Sequence, residues 1–346
     1  MLTRIEIDGF KTFRDFALDL PPFLVVLGRN GAGKSNLFDA LRFLSRLAGE
    51  PLAEAAQEAR GDLMELFHQD AEGNRMEEMR FAVEVVLNDS VTDAFHGTRT
   101  LPTSRLRYEL TIELRDSRAF VSHEAAQALA EGGRYLDTRR ATGEPPRFRI
   151  WDDAGRDPKT QLLAGSATAS VLSIIGSASD STVLYALKRE MESWRHLHLD
   201  PAALRSPDSF GDPDTLGEDG AHLPNTLDRI VRETAREDRP EGLLGDISAD
   251  LASVISDVSG VRIDEDDKRR RREVEFRARG GHGTVSARVA SDGTLRADVV
   301  FLSSVSRIVP GQSRSRITQP RLIATGDRPS LADQEHLDPN VRLVSA

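Results

Sequence analysis

Residues 28–36 read Gly-Arg-Asn-Gly-Ala-Gly-Lys-Ser-Asn, follow the unbroken apolar run Phe23 to Leu27, and lead directly into an amphipathic segment. An apolar run without polar alternation is the pattern of a central strand covered on both faces. From Lys34 the period changes to that of a helix, with Leu37, Ala40, Leu41, Leu44 and Leu47 on one stripe, and Gly49 and Pro51 mark its end. Gly28, Gly33, Lys34 and Ser35 satisfy G-x-x-x-x-G-K-[ST]. Each residue type has a reason. The glycines allow backbone conformations that aim several N–H groups inward at phosphate oxygens, and the helix that starts at Lys34 adds its positive end. Lys34 brings a mobile point charge for β- and γ-phosphates, and Ser35 offers a hydroxyl to Mg²⁺. A glycine turn that binds no nucleotide is the alternative; the buried strand before it and the amphipathic helix after it argue for the phosphate loop.

The rest of the composition narrows the class. A chain of 346 residues holds one large domain or two ordinary ones. With 39% hydrophobic and 29% charged residues it reads as globular, and no apolar run approaches the roughly 20 residues of a membrane-spanning helix. The first residues are strand-like and do not resemble a secretion signal, and the absence of cysteine excludes disulfides and thiolate metal sites. A cytoplasmic protein without membrane attachment is the expectation. The net charge of −10 opposes a generally basic nucleic-acid-coating surface but permits a local basic strip.

Along the chain, Ile5 and Ile7, then Phe16, Leu18 and Leu20, alternate as half-buried strands. Further strands are predicted at 80–87, 107–114 and 147–151, forming an antiparallel sheet beside the nucleotide core. Residues 152–180 are rich in Gly, Ser, Ala and Asp and are expected to be mobile. A helix carries Leu184, Leu187, Met191 and Trp194, and Ser206 to Gly220 reads as loop. Helices follow at 225–236 and 246–258, then strands at 272–276 and 284–289. From Ser304 neither a helical nor a strand period persists, and the tail reads as disordered. The expected division is a nucleotide-binding lobe with antiparallel strands (1–150), a variable helical insertion (151–224), a second lobe (225–303) and the tail (304–346).

The finer spelling of the loop, with Asn30, Gly31 and Asn36 added, closely resembles the N-terminal lobe of RecF/SMC-like ATPases of the ATP-binding-cassette type. "IEIDGFKTFRDFALDL" before it and "LFDALRFL" after it belong to the same resemblance, which covers residues 1 to about 48. It implies an α/β P-loop NTPase of the ABC/SMC-head type with an antiparallel β subdomain and a helical lobe. It also implies that ATP and Mg²⁺ are held by Gly28, Arg29, Asn30, Gly31, Ala32, Gly33, Lys34, Ser35 and Asn36, with Ser35 as the metal ligand. In that family two heads meet face to face over two ATP molecules, so a signature motif should lie downstream. Ala290-Ser291-Asp292-Gly293-Thr294 looks like its "SDGT" form, and Ser291 is placed to cap a following helix. The resemblance implies that Ser291, Asp292 and Gly293 serve a partner's nucleotide across a homodimer. An ordinary Asp-Gly turn is the alternative. "SWRHLHLDPAALRSP" and "EDGAHLPNTLDRI" also resemble stretches of RecF-like ATPases linked to DNA repair or phage defence.

The resemblance further implies an apolar strand ending in an Asp for Mg²⁺ and a Glu that orients water. No such run follows Arg296: "RLIATGD" brings Asp327 without an adjacent Glu, and Glu335 and His336 have no strand to place them. The pattern suits a chain that is truncated, or whose last segment was read in another frame from its relatives. Nucleotide binding is therefore expected with hydrolysis in doubt, and a mostly monomeric state at ordinary concentrations. A hydrolysis-dead sensor or partner-binding subunit is the second reading.

Three other clusters call for weighing. "DEDDKRRRR" (264–272) is either a DNA contact or a solvated hairpin tip whose acids neutralise its bases. His196, His198 and Asp200 share a face if that stretch is extended, but without a fourth ligand they read as surface or packed residues rather than a zinc site. Phe10, Lys11, Phe13 and Arg14 are either an edge for the nucleotide, as the resemblance implies, or a bare connection.

Overall fold

The computed structural model describes the chain apart from residues 22, 30, 58, 131–132, 140–146, 152, 154–158, 164–166, 281–282, 296–298, 300–320, 326–340 and 346. Two units emerge, residues 1–194 with 317–346, and residues 195–316.

In the first unit, β1 (Leu2–Asp8) pairs antiparallel with β2 (Phe16–Asp19), and β3 (Phe23–Gly28) runs into α1 (Lys34–Leu47). After α2 (Leu52–Gln57) come β4 (Glu78–Val86), the small pair β5 (Ser90–Thr92) and β6 (Thr98–Thr100), and the long hairpin β7 (Arg105–Arg115) and β8 (Arg118–Ala128). Then follow β9 (Arg134–Arg139), β10 (Arg147–Ile150) and β11 (Lys159–Leu163), with α3 (Val171–Ile174) and α4 (Thr182–Glu192) completing the run. Eight of these strands form one antiparallel sheet in the order β11-β10-β9-β8-β7-β4-β1-β2. Alternation decides which face is covered: Leu106, Tyr108, Leu110 and Ile112 of β7 are buried while Arg107, Glu109 and Glu113 lie at the other face. Leu37, Ala40, Phe43, Leu44 and Leu47 of α1 join the same core, with Leu41 packed at its margin.

The predicted strands at 80–87, 107–114 and 147–151 are thus present as β4, β7 and β10. β8, β9 and β11 were not foreseen. The β7–β8 turn consists of Asp116 and Ser117, both left-handed (φ 48° and 60°) without a glycine, so the usual mark of a two-residue hairpin is missing. The interval 152–180 holds β11 and α3 among its described residues, more structure than its composition suggests.

In the second unit, α5 (Pro201–Leu204) and β12 (Asp208–Ser209) precede α6 (Leu223–Thr234) and α7 (Leu244–Val254). A second hairpin, β13 (Val258–Asp266) with β14 (Arg271–Ala278), is joined by β12 and by β15 (Thr284–Ser286). Leu223, Leu227, Ile247, Leu251, Val274 and Phe276 belong to a separate core. Two expected bounds shift. The helix predicted to 258 stops at Val254, because Ile255 turns extended and Val258 pairs with Ala278; the strand predicted to 289 stops at Ser286 and becomes a single helical turn.

The tail read as disordered contains two strands, β16 (Arg321–Thr325) and β17 (Val341–Ser345). They flank β3, β16 parallel and β17 antiparallel, which makes β3 the middle strand, as its apolar run implied. Their order comes from a partner strand that supplies the hydrogen-bond ladder, which a local period does not reveal. Asp327, Glu335 and His336 lie outside the described residues.

Candidate nucleotide-binding site

β3 delivers the chain to Gly28, and α1 begins at Lys34, so the loop between them is suspended from a strand end and a helix start. Gly31 and Gly33 both take φ of +85°, a left-handed conformation that glycine adopts without a Cβ clash. A side chain on Gly31 would meet nothing within 4 Å, so this part of the loop faces open space. At Gly33 a Cβ would stand 3.2 Å from Thr12 Oγ1. The loop is internally braced: Ala32 N–H donates to the Arg29 carbonyl (3.2 Å), and Asn36 and Leu37 N–H donate to the Gly33 carbonyl (2.9 and 3.3 Å). Lys34 Nζ reaches back to the Arg29 carbonyl at 2.9 Å, which holds its ammonium over the loop. Ser35 is exposed at the second helical position, and Asn36 Nδ2 donates to Thr12 Oγ1 (2.9 Å). Asn30 lies outside the described residues.

Open space beside Gly31, two left-handed glycines, a lysine bonded back to the loop and a serine at the helix start fit a polyphosphate. Lys34 and the loop amides would hold the phosphates, and Ser35 would give one ligand to Mg²⁺. Thr12 escaped sequence reading. It accepts the Asn36 side-chain amide and leaves little room for a side chain on Gly33, and nothing in the spacing from 12 to 36 signals that contact.

Residues near Thr12 have other duties than an edge for the nucleotide. Phe10 is fully buried, its ring 6.0 Å from Phe43 and 5.5 Å from Phe81. Lys11 Nζ lies 2.6 Å from the buried Asp39 carboxylate, which Arg60 also binds, and it donates to the Ala59 and Arg60 carbonyls. Neutralising a carboxylate inside the fold outweighs waiting for a ligand, because an unpaired buried charge is costly. Phe13 packs against the core and Arg14 is exposed. Trp194 also packs against this core, its Nε1 donating to Glu190 at 3.1 Å.

In the second unit, residues 291–294 form a capped turn. Ser291 Oγ accepts the Thr294 N–H (3.1 Å) and lies 2.8 Å from Thr294 Oγ1, the capping role expected of it. Ser291, Asp292 and Gly293 are exposed, while Thr294 and Leu295 are buried and anchor the turn. Arg205 Nη2 donates to Asp292 Oδ1 (2.5 Å) and to the Ala290 carbonyl (3.0 Å). Arg205 was not a candidate from sequence, since it stands 87 positions before Asp292.

The charge run 264–272 is the tip of the β13–β14 hairpin, with Asp266 paired to Arg271. Lys268, Arg269, Arg270 and Arg271 are exposed. Arg272 is not part of that exposed set: it is 17% exposed, bound to Glu265 (2.6 Å) and Asp228 (3.4 Å), and its guanidinium lies 4.5 Å from the Phe210 ring centre.

His196, His198 and Asp200 are not among the groups whose ligand atoms converge, in keeping with their reading as surface or packed residues. The segment is irregular, and Asp200 caps α5 by accepting the Ala202 N–H at 2.9 Å. Among the described residues the grouping with metal-ligand spacing is Asp208, Asp212 and His222, whose ligand atoms lie within 4.8 Å of one another. Their bonds serve the fold: buried Asp208 accepts the Asn225 N–H (3.0 Å) and faces His222 Nδ1 (3.2 Å), and Asp212 accepts the Ser209 N–H (2.7 Å). Burial raises the Asp208 pKa.

Comparison with known proteins agrees with the loop. Residues 23–302 match the family described as "AAA domain, putative AbiEii toxin, Type IV TA system", and the chain belongs to that family. Chromosome partition protein Smc of Bordetella petrii is 40% identical over 92 residues, 26% of this chain and 7% of that protein. The Smc of Methanocaldococcus jannaschii is 46% identical over 44 residues, 12% of this chain and 4% of that protein. The chain therefore matches only a small part of either Smc. Among solved structures, the SmcHead bound to the C-winged helix domain of ScpA aligns over 89% of this chain and 78% of its own, at 13% identity and TM-score 0.46. RecF with ATP, from the RecFOR pathway, aligns over 96% and 93%, at 14% identity and TM-score 0.29. Among the described residues no helix is long and apolar enough to cross a membrane.

Proposed function

We propose that this chain is an ATP-binding head of the RecF/SMC-like kind, in which ATP and Mg²⁺ on the glycine loop favour the meeting of two copies. The observation that carries the reading is the loop itself: Gly31 and Gly33 left-handed, open space beside Gly31, and Lys34 and Ser35 at the start of α1. The exposed, capped turn at Ser291 to Gly293 supports the second half of the reading, since a partner's γ-phosphate needs an ordered hydroxyl and a free backbone approach. The match of a segment of the chain to Smc, and a family description that names a toxin–antitoxin system, support a role in DNA repair or phage defence.

Turnover is expected to be slow. Lys34, Ser35 and the loop amides hold phosphates and orient no water, and no Asp-Glu pair follows Arg296 in the sequence. Losing both water positioning and a second metal ligand costs several kcal/mol of barrier, at about 1.36 kcal/mol per tenfold in rate. The absent acid pair also favours a second reading, a hydrolysis-dead nucleotide sensor or partner-binding subunit.

Calorimetry of ATP–Mg²⁺ with wild type and Lys34→Ala tests the site. Binding by wild type and its loss in the variant are expected, and equal affinities would overturn the reading. Steady-state ATPase separates the two forms of it: brisk turnover by a nucleotide-induced dimer would return catalysis to an acid such as Asp327 or Glu335.

A further inference from the structure

Asp292 poses a difficulty for that reading, on which this inference rests. Ser291 and Gly293 are to receive the γ-phosphate of ATP carried by another copy, and a carboxylate stands between them in sequence. Two anions brought together in a closing interface repel, and like charges facing each other across an interface are strongly unfavourable. The capping of the turn does not call for an acid here, because Ser291 Oγ already accepts the Thr294 N–H.

Arg205 supplies the compensation. It ends α5, and one nitrogen, Nη2, donates both to Asp292 Oδ1 (2.5 Å) and to the Ala290 carbonyl (3.0 Å). The two acceptors flank Ser291 in sequence, so one guanidinium nitrogen is tied to the chain on both sides of the residue that would meet the phosphate. Arg205 is the more covered partner, 27% exposed against 58% for Asp292. An exposed ion pair contributes little to stability on its own. Its effect on the charge presented to an approaching anion is a separate matter, because it turns a carboxylate into one half of a neutral pair.

We infer that Arg205 is a charge-compensating positioning residue of the signature turn, cancelling Asp292 so that Ser291 and Gly293 can accept the triphosphate of a second copy.

The test uses the full chain with Mg²⁺ and a slowly hydrolysed ATP analogue. Sedimentation velocity over a range of protein concentrations reads dimerisation, and calorimetry reads nucleotide affinity in parallel. Arg205→Ala should leave nucleotide affinity unchanged at protein concentrations where the chain stays monomeric, and raise the concentration for half-dimerisation by roughly tenfold. Arg205→Ala combined with Asp292→Asn should return it to near the wild-type value, because the uncompensated charge is gone. Arg205→Lys should lie close to wild type. Recovery in the double variant also establishes that loss of the arginine had not unfolded the unit. Wild-type dimerisation by Arg205→Ala would overturn the inference alone. A double variant as weak as the single one would overturn it too, since the arginine would then merely brace the loop. A wild-type chain that binds the nucleotide without dimerising would overturn the parent reading, and this inference with it.

Discussion

Single residues in this protein are governed by what surrounds them more than by their type. Glu124 is fully buried on β8, where Tyr108 Oη donates to it (2.8 Å) and the Val171 and Leu172 N–H groups donate at 2.6 and 3.3 Å. Burial raises its pKa from 4.5 to about 7, against the three donors, which lower it. The native state therefore keeps a proton that the unfolded chain has released above pH 4.5. Stability from this group is complete below about pH 4.5, falls as pH rises through the window, and is lost above about 7. The difference is on the order of 3 kcal/mol. Urea unfolding on the acid and alkaline sides of that window should show wild type losing more stability with rising pH than Glu124→Gln; parallel profiles would contradict it. Glu6 is present in both proteins and cancels from the comparison. Arg107 beside it holds its pKa at about 2, so its contribution fades only as pH falls below the ordinary carboxylate range.

At the scale of elements, the β7–β8 hairpin shows why some strands were legible and others not. β7 alternates cleanly and was read from the sequence. β8 mixes small and polar residues, and its turn, Asp116-Ser117, carries no glycine although both residues are left-handed. An L-residue in that conformation costs about 1–2 kcal/mol, part of which glycine would lose again through its freer unfolded chain. Ser117→Gly should thus stabilise the protein by about 0.5–1 kcal/mol in chemical denaturation. A loss of stability would mean that the serine hydroxyl holds the turn. Helix α1 was legible as a stripe, yet its largest buried side chain, Phe43, packs against both Phe10 and Phe81 and lies outside that stripe. Phe43→Ala should cost about 3–5 kcal/mol, since it empties a contact between helix, loop and sheet. A thermal midpoint close to wild type would show that the site collapses around the smaller residue.

For the whole molecule the question is how an acidic chain would meet DNA. With a net charge of −10, long-range attraction must come from a local feature, and the exposed tip Lys268 to Arg271 is the candidate. Asp266 and Asp267 beside it reduce its field. If the tip touches duplex DNA, anisotropy should show binding that weakens between roughly 50 and 200 mM salt as counterions are released. Neutralising Lys268, Arg269 and Arg271 should weaken it further, and unchanged affinity would remove the tip from any DNA role. Arg272 should behave differently from its neighbours. Its bonds to Glu265, Asp228 and Asn225 tie β14 to α6, so its loss should lower the stability of the unit before it lowers affinity.

The phosphate loop was legible in the chain's own letters, because glycines, lysine and serine act through backbone geometry and charge that are local to nine residues. The same holds for β3 and α1, whose periods are set by their own side chains, and for the cap at Ser291, three residues from its partner. Tertiary structure alone decided what depends on distant groups. Lys11 looked available for a nucleotide until Asp39 and Arg60 came beside it. Thr12 became a brace of the loop only when the start of α1 brought Asn36 to it. β16 and β17 carry no readable period and are ordered by pairing with β3. Arg205 meets Asp292 across 87 positions of the chain, a contact that is electrostatic and long-range in sequence and so leaves no mark in spacing.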